Sequence, residues 1–261
     1  MNTANTQTIH RVMHEIKRRK LTVLRVVDLT PRMRRITVGG PELAGFISLG
    51  SDDHVKLFFP QTAEEQASLE NLTLSAGAKS NAMPPMRDYT PRRYHLDTLE
   101  LDLDFVLHGD GPASTWAAQA QPGQFLHIGG PRGSMIVPDI FDSYLLIGDE
   151  TALPAIARRL EELPANRQAR VVVEIENAQE EQPLKSAASV EVIWVHRDAP
   201  AEDLLRTVES LSIPSGDLYT WVATESALSR KVRRVLLNTH GLNDEFVKAV
   251  GYWRLDDNAE E

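Results

Sequence analysis

The chain has 261 residues, room for one large domain or two modest ones, and its 42% hydrophobic and 25% charged content is that of an ordinary globular protein. A formal net charge of −9 argues against nucleic acid as a partner, so any anion site has to be a local basic patch. With no cysteine, disulfide frameworks, thiolate catalysis and cysteine-bound zinc or iron–sulfur clusters are excluded, and no stretch reaches the ~20 apolar residues of a membrane helix.

Residues 1–16 read as a tail without the apolar core of a secretion signal, and the HEIKRRK run at 14–20 as solvated, so a soluble cytoplasmic protein is expected. LTVLRVVDLTPRMRRITVGG gives two alternating runs broken at Thr30-Pro31, a strand–turn–strand pattern. HVKLFFP is a short strand stopped by Pro60. Residues 61–85 show neither good periodicity nor a sustained apolar face and are expected to form a long loop. YTPRRYH and LELDLDFVLH follow as strands, the second alternating Leu101, Leu103, Phe105 and Leu107 against Asp102, Asp104, Val106 and His108. GPASTWAAQAQPG reads as a short helix ended at Pro122-Gly123, and QFLHIGGPRGSMIVP as a strand pair around a Gly-Pro-Arg-Gly turn. Many short strands with one helix suggest a small closed barrel.

The rhythm then changes. SYLLIG is a continuous apolar run, the mark of a strand buried on both faces, and leads through DETALP into the amphipathic AIARRLEEL. ARVVVEIEN, VEVIWVH, DLYTWVAT and VKAVGYWRL read as strands. AEDLLRTVESL and ESALSRKVRRVLLNTHG read as helices, the latter with Glu225 at its positive end and Gly241 as C-cap. Trp194 and Trp221 are expected in the core. Alternating strands and helices imply a doubly wound parallel sheet. The expected architecture is a tail (1–16), an antiparallel six-stranded β-barrel (17–139) and an α/β domain with a parallel sheet (140–261).

Three stretches bear chemistry. In MRDYTPRRYH, Arg87 and Tyr89 share one face of a strand, so a guanidinium could reach phosphates while a ring lies against a flat cofactor such as a flavin. The four letters RDYT alone fit a solvated barrel face better than a cofactor site. In HGDGPASTWA, two glycines allow a tight turn and Pro112 opens a helix, presenting Ala113, Ser114 and Thr115 as a phosphate site, or as an ordinary capped surface helix. GDETALPAI occupies the place of a nucleotide-binding turn but is not G-x-G-x-x-G. Asp149 and Glu150 would repel phosphates, so a nucleotide must dock differently there; the plain alternative is a strand–helix connection with Thr151 as N-cap.

Taken together, DDHVKLFFP, RDYTPRR, DFVLHGDGPASTWA, PGQFLHIGGPRGS, GDETALPAI and GYWRL, in this order and spacing, resemble the siderophore-interacting protein family. These are FAD-containing ferric-siderophore reductases of the ferredoxin-NADP reductase superfamily. The resemblance implies FAD as cofactor, NADPH or NADH as donor and a ferric siderophore as substrate, with no iron ligands from the protein; a monomer is expected. It implies flavin contacts from Arg87, Tyr89, Thr90 and Arg92, with Asp104, Val106 and His108 bordering the cofactor. Ala113, Ser114, Thr115 and Trp116 match the pyrophosphate segment, and Asp149, Glu150, Thr151 and Pro154 the loop beside flavin and nicotinamide. A cationic siderophore pocket would draw on Lys56, Arg254 and one basic residue among Arg230, Lys231, Arg233 and Arg234, with Arg234 favoured. Trp253 and Tyr252 lie near where this architecture places the flavin.

Where the family often has glycine before the late glutamate, this chain has Thr224. Glu174 and Glu176 favour a free ribose 2′-hydroxyl, whereas Arg158, Arg159 and Arg197 could supply a 2′-phosphate site; the resemblance tips the expectation to NADPH. The alternatives are a non-catalytic siderophore carrier on the same fold and a general NAD(P)H:flavin reductase.

Overall fold

The Thr30-Pro31 break separates β2 (Arg18–Thr30) from β3 (Met33–Gly39), which pair antiparallel from Thr22↔Gly39 to Thr30↔Met33. The computed structural model describes residues 8–71, 83–199, 203–214 and 216–255. They divide into two units, Thr8–Val137 and the chain from Pro138 onward.

In the first unit the other strands are β1 (His10–Met13), β4 (Val55–Phe58), β5 (Met86–Tyr89), β6 (Arg93–His95), β7 (Glu100–Val106), β8 (Phe125–Gly129) and β9 (Gly133–Ile136). Seven strands form one sheet in the order β5-β4-β8-β2-β3-β7-β6, and β1 and β9 form a separate ribbon, so the count exceeds the expected six. The run YTPRRYH is not one strand. It is cut at Thr90-Pro91 into β5 and β6, which lie at opposite edges of the sheet. Laid flat, seven strands would separate those edges by about 29 Å, at ~4.8 Å per spacing. Residues 90–92 bridge only about 14 Å between the last Cα of β5 and the first of β6. The sheet therefore curls into a barrel whose seam is closed by Thr90, Pro91 and Arg92, all buried. Leu21, Val23, Leu57, Leu103, Phe105 and Ile128 fill its interior.

Three expectations change here. Within the loop expected at 61–85 lies helix α1 (Ala63–Asn71), started by a capping box: the Glu65 amide donates to Thr62 Oγ1 at 3.1 Å, while Glu65 Oε2 accepts from Thr62 and Gln61 amides at 3.3 and 2.6 Å. Residues 72–82 of that loop lie outside the described residues. The tail contains β1, which pairs with β9, and β8 and β9 do not pair with each other: Gly130, at φ 95°, turns the chain between them. Residues 1–7 of the tail lie outside the described residues.

The second unit contains β10 (Ser143–Asp149), α3 (Leu153–Glu162), β11 (Gln168–Ile175), β12 (Ser189–His196), α4 (Leu204–Glu209), β13 (Leu218–Glu225), α5 (Ser226–Asn238) and β14 (Val247–Trp253). Its parallel sheet runs β12-β11-β10-β13-β14. The chain winds outward from β10 to β12 and returns to β13, so the order reverses between β10 and β13. Every residue of β10 is buried, as its apolar run implies. Trp221 is core, but Trp194 is only half-buried because β12 is an edge strand. Helix α5 ends at Thr239, and Gly241, at φ 66°, follows two residues later, so glycine completes the turn without being the C-cap.

Candidate functional site

The β4–β5 register places Arg87 opposite Leu57 and Tyr89 opposite Val55, so Arg87 and Tyr89 share one face of β5, with Tyr89 packed on the core and Arg87 reaching solvent. Asp88 faces outward beside Lys56, their charged groups 2.9 Å apart and half-exposed. The Tyr89 ring lies 4.4 Å from that of Phe105, which is 5.7 Å from Trp116, giving an aromatic row beside the seam. Burial pushes the Tyr89 phenol well above its ordinary pKa, against the lowering field of Arg87. Arg87 is exposed, and among the described residues its one hydrogen bond goes to the Met86 carbonyl at 2.8 Å, so most of its donors remain for an anion. Thr90 and Arg92 sit in the buried seam, whereas Arg93 and His95 are exposed.

Downstream, Gly109 turns at φ 46° and leads into α2 (Pro112–Gln119). Gly111 provides no side-chain cap and Pro112 has no N–H, so the first-turn amides of Ala113 and Ser114 lack a side-chain acceptor. The buried Ser114 hydroxyl accepts the His108 amide at 2.8 Å, which leaves exposed Thr115 as the hydroxyl facing water. Trp116 joins the aromatic row. Of the expected cofactor neighbours on β7, Asp104 gives both oxygens to Arg35 at 2.7 Å each, tying β7 to β3. Val106 is half-buried and His108 exposed. Phe105, which sequence reading assigned only to the interior alternation, is the β7 residue that touches Tyr89 and Trp116. An uncapped helix start, a free guanidinium and an aromatic row fit the pyrophosphate and flat ring system of FAD.

In the second unit, the Asp149 carboxylate is 1% exposed and receives four donors. Oδ1 accepts from the Thr151 amide at 2.9 Å and hydroxyl at 2.5 Å, and Oδ2 from Thr224 Oγ1 at 2.9 Å and Trp253 Nε1 at 2.7 Å. Asp149, not Thr151, is thus the cap of this turn, and it ties together the C-terminal ends of β10, β13 and β14. Gly148 is required here, because a Cβ would collide with Ala152 and the Ala223 carbonyl. Pro154 is buried in the first turn of α3. Glu225 caps α5, accepting the Ala227 and Leu228 amides at 2.7 and 2.9 Å.

Glu150 grips Arg197, just past β12, with contacts of 2.5 and 2.7 Å, and Glu174 takes the Arg197 Nε at 3.1 Å. Burial opposes the Arg197 charge, but hydrogen bonds and fields of Glu150 and Glu174 outweigh it and raise its pKa. The expected phosphate repulsion by Asp149 and Glu150 is therefore blunted: one carboxylate is turned inward and the other is bound to a guanidinium. Arg158 and Arg159 on α3 both lie against Glu162, at 3.0 and 4.0 Å.

On α5, Arg230, Lys231 and Arg234 are exposed and Arg233 pairs with Asp244. Arg230 lies about 6 Å along the helix from Ser226 and Arg234 about 12 Å, so Arg230 is nearer the end that meets the Asp149 network. Arg254 is exposed just beyond β14, and Tyr252 packs edge-on to Trp221 at 5.9 Å. Arg132, exposed in the turn after β8, follows three residues after Gly129, the cross-strand partner of Lys56. Sequence reading did not single it out, although it stands in the GGPRGS stretch. Among the described residues, no group of three or more His, Asp or Glu could hold a metal ion, and no helix is long and apolar enough to cross a membrane.

Comparison with known proteins places the site in context. The model of the siderophore-interacting FAD-binding domain matches residues 22–135 and that of the siderophore-interacting protein matches residues 141–256. The chain is 35% identical over 250 residues to the NADPH-dependent ferric-chelate reductase of Escherichia coli strain K12, covering 93% of this chain and 95% of the relative. It is 30% identical to ferric vibriobactin reductase ViuB of Vibrio cholerae, over 93% of this chain and 91% of that one. The crystal structure of a siderophore utilization protein from T. fusca superimposes with a TM-score of 0.85 at 36% identity, covering 97% of this chain and 99% of the other. This chain belongs to the siderophore-interacting protein family.

Proposed function

We propose that this member of the siderophore-interacting protein family is a cytoplasmic ferric-siderophore reductase that binds FAD on its first unit and takes reducing equivalents from a nicotinamide nucleotide, NADPH by likeness to the E. coli relative. The observation that carries the reading is the set formed by Arg87, the aromatic row Tyr89–Phe105–Trp116 and the uncapped start of α2. FAD held here would supply the conversion of a two-electron hydride donor into single electrons, so that one NADPH could reduce two ferric ions to ferrous, giving NADP⁺ and one proton. Arg87 and the α2 amides would hold its pyrophosphate, and Tyr89 would shield its ring system from water.

Hard oxygen chelators hold Fe(III) far more tightly than Fe(II), so reduction suffices for release and the protein supplies no ligand to the metal. The substrate is anionic, and Lys56 and Arg132 of the first unit are exposed cations for its approach on a protein of net charge −9. Asp88 tempers the Lys56 charge.

The test is to purify the protein, record its flavin spectrum, reduce it anaerobically with nucleotide and mix it with a ferric tris-catecholate and a ferrous trap. Yellow protein, bleached by nucleotide and reoxidised with two Fe(II) trapped per flavin, is expected. Colourless protein that FAD fails to reconstitute would sink the proposal. Flavin that stays reduced on mixing would leave a carrier on the same fold.

A further inference from the structure

In the second unit, parallel strands β10, β11 and β12 end side by side, and their register pairs Asp149 with Glu174 and Ile175 with His196. Glu150, Glu174 and Arg197 therefore gather at one end of the sheet, the end where doubly wound folds hold the adenosine half of a dinucleotide. In such sites a carboxylate after the second strand accepts the ribose hydroxyls of NADH, whereas an arginine nearby takes the 2′-phosphate of NADPH. This chain has both, in contact. The Arg197 guanidinium is held by Glu150 at 2.5 and 2.7 Å and by Glu174 at 3.1 Å. Three of its five donors are thus committed, on two carboxylates.

Resting on the reductase reading, we propose that Glu150 and Glu174 hold Arg197 away from the nucleotide 2′-phosphate and so set the discrimination between NADPH and NADH. A 2′-phosphate entering here must take Arg197 from Glu150 and Glu174 and then remain beside them and Glu176, whose carboxylate lies 3.9 Å from Arg197 Nη1, so its charge meets three carboxylates around one guanidinium. A ribose diol needs no such exchange, because it can donate to Glu174 while the clamp stays closed. The clamp thus taxes NADPH and spares NADH, and NADH is used within about tenfold of NADPH even though the E. coli relative is named NADPH-dependent.

Glu174 also accepts the Leu204 amide at 3.3 Å, so Glu174→Gln keeps an acceptor for α4 while removing the charge. The experiment measures flavin bleaching by NADH and NADPH in the FAD-loaded wild type, in Glu150→Gln/Glu174→Gln and in Arg197→Ala. Direct binding of 2′,5′-ADP and of 5′-AMP, measured by titration calorimetry, provides a readout independent of hydride transfer. With the carboxylates neutralised, the NADPH to NADH ratio of kcat/KM should rise about tenfold or more, carried by KM, and 2′,5′-ADP should tighten relative to 5′-AMP. Arg197→Ala should shift both ratios the other way. Unchanged ratios in the double variant, or a wild type preferring NADPH by more than a hundredfold, would overturn the assignment while leaving the reductase reading intact. Failure of both nucleotides to bleach a bound flavin would defeat the reductase reading and this assignment with it.

Discussion

Replacing Asp149 by asparagine separates the geometry of the second unit's hub from its charge. The native carboxylate accepts four donors while 1% exposed, two on each oxygen. An amide keeps one oxygen and turns an NH2 toward the other pair. The Thr151 or Thr224 hydroxyl can rotate to accept from it, but the backbone N–H of Thr151 or the indole N–H of Trp253 cannot. Either orientation leaves one buried N–H facing another donor, costing ~1–3 kcal/mol, and the two bonds that remain lose their charge assistance. The sum is about 2–4 kcal/mol. The check is urea unfolding followed by tryptophan emission, for which Trp194 and Trp221 report on this unit in every variant. Trp253→Phe alone should cost about 1 kcal/mol, since three donors stay in place. In the Asp149→Asn background the same change removes the opposed N–H and should cost nothing or restore stability. Strict additivity, or a loss under ~0.5 kcal/mol for Asp149→Asn, would refute the donor count.

Arg87→Ala should weaken FAD binding about tenfold or more, the loss of a charge-assisted phosphate contact worth ~1.5–3 kcal/mol; equilibrium dialysis of flavin reads it, and full retention would mean the phosphate lies elsewhere. Lys56→Ala should lower kcat/KM for an anionic ferric chelate and Asp88→Asn should raise it, both effects fading as salt is added, because the pair is half-exposed. Burial raises the Tyr89 pKa, so the folded state keeps that proton when the unfolded chain loses it near pH 10. Stability from this group is therefore intact below about pH 10 and falls as pH rises through the folded value. Flavin-free wild type should lose stability above pH 10 more steeply than Tyr89→Phe, as read by denaturant midpoints, and parallel slopes would contradict the burial.

Element type was legible wherever one period dominated: the all-buried β10, the Thr30-Pro31 break and the alternation of β7 needed nothing beyond the pattern of the chain. Pairing was not. β5 and β6 are short and contiguous in sequence, and only the sheet order reveals that residues 90–92 cross a seam. Helix α1 was missed because its residues are mostly polar, yet its signal was present in Thr62-Ala63-Glu64-Glu65, a capping box read as loop. Among candidate site residues, sequence pattern named Arg87, Tyr89 and the α2 segment. Asp104 and the Ser114 hydroxyl are engaged by the chain itself, and residue type alone does not tell which polar groups are already satisfied.

The acidic turn after β10 shows why that distinction governs function. Read as letters, Gly-Asp-Glu-Thr in place of a glycine-rich loop sets two negative charges where a nucleotide phosphate should approach. In the fold each charge has a different fate. Asp149 points into the unit, and its fourth donor comes from Trp253, at the far end of the sequence, so its charge serves to hold three strand ends together. Thr224 explains itself in the same way: a glycine there would leave Asp149 one donor short. Glu150 is bound to the Arg197 guanidinium, whose other acid partners are Glu174 and Glu176, and the proposed nucleotide selection rests on that group. The residues that seem to forbid a nucleotide thus divide into a strut and a selector, and only the selector's charge remains for a ligand to meet.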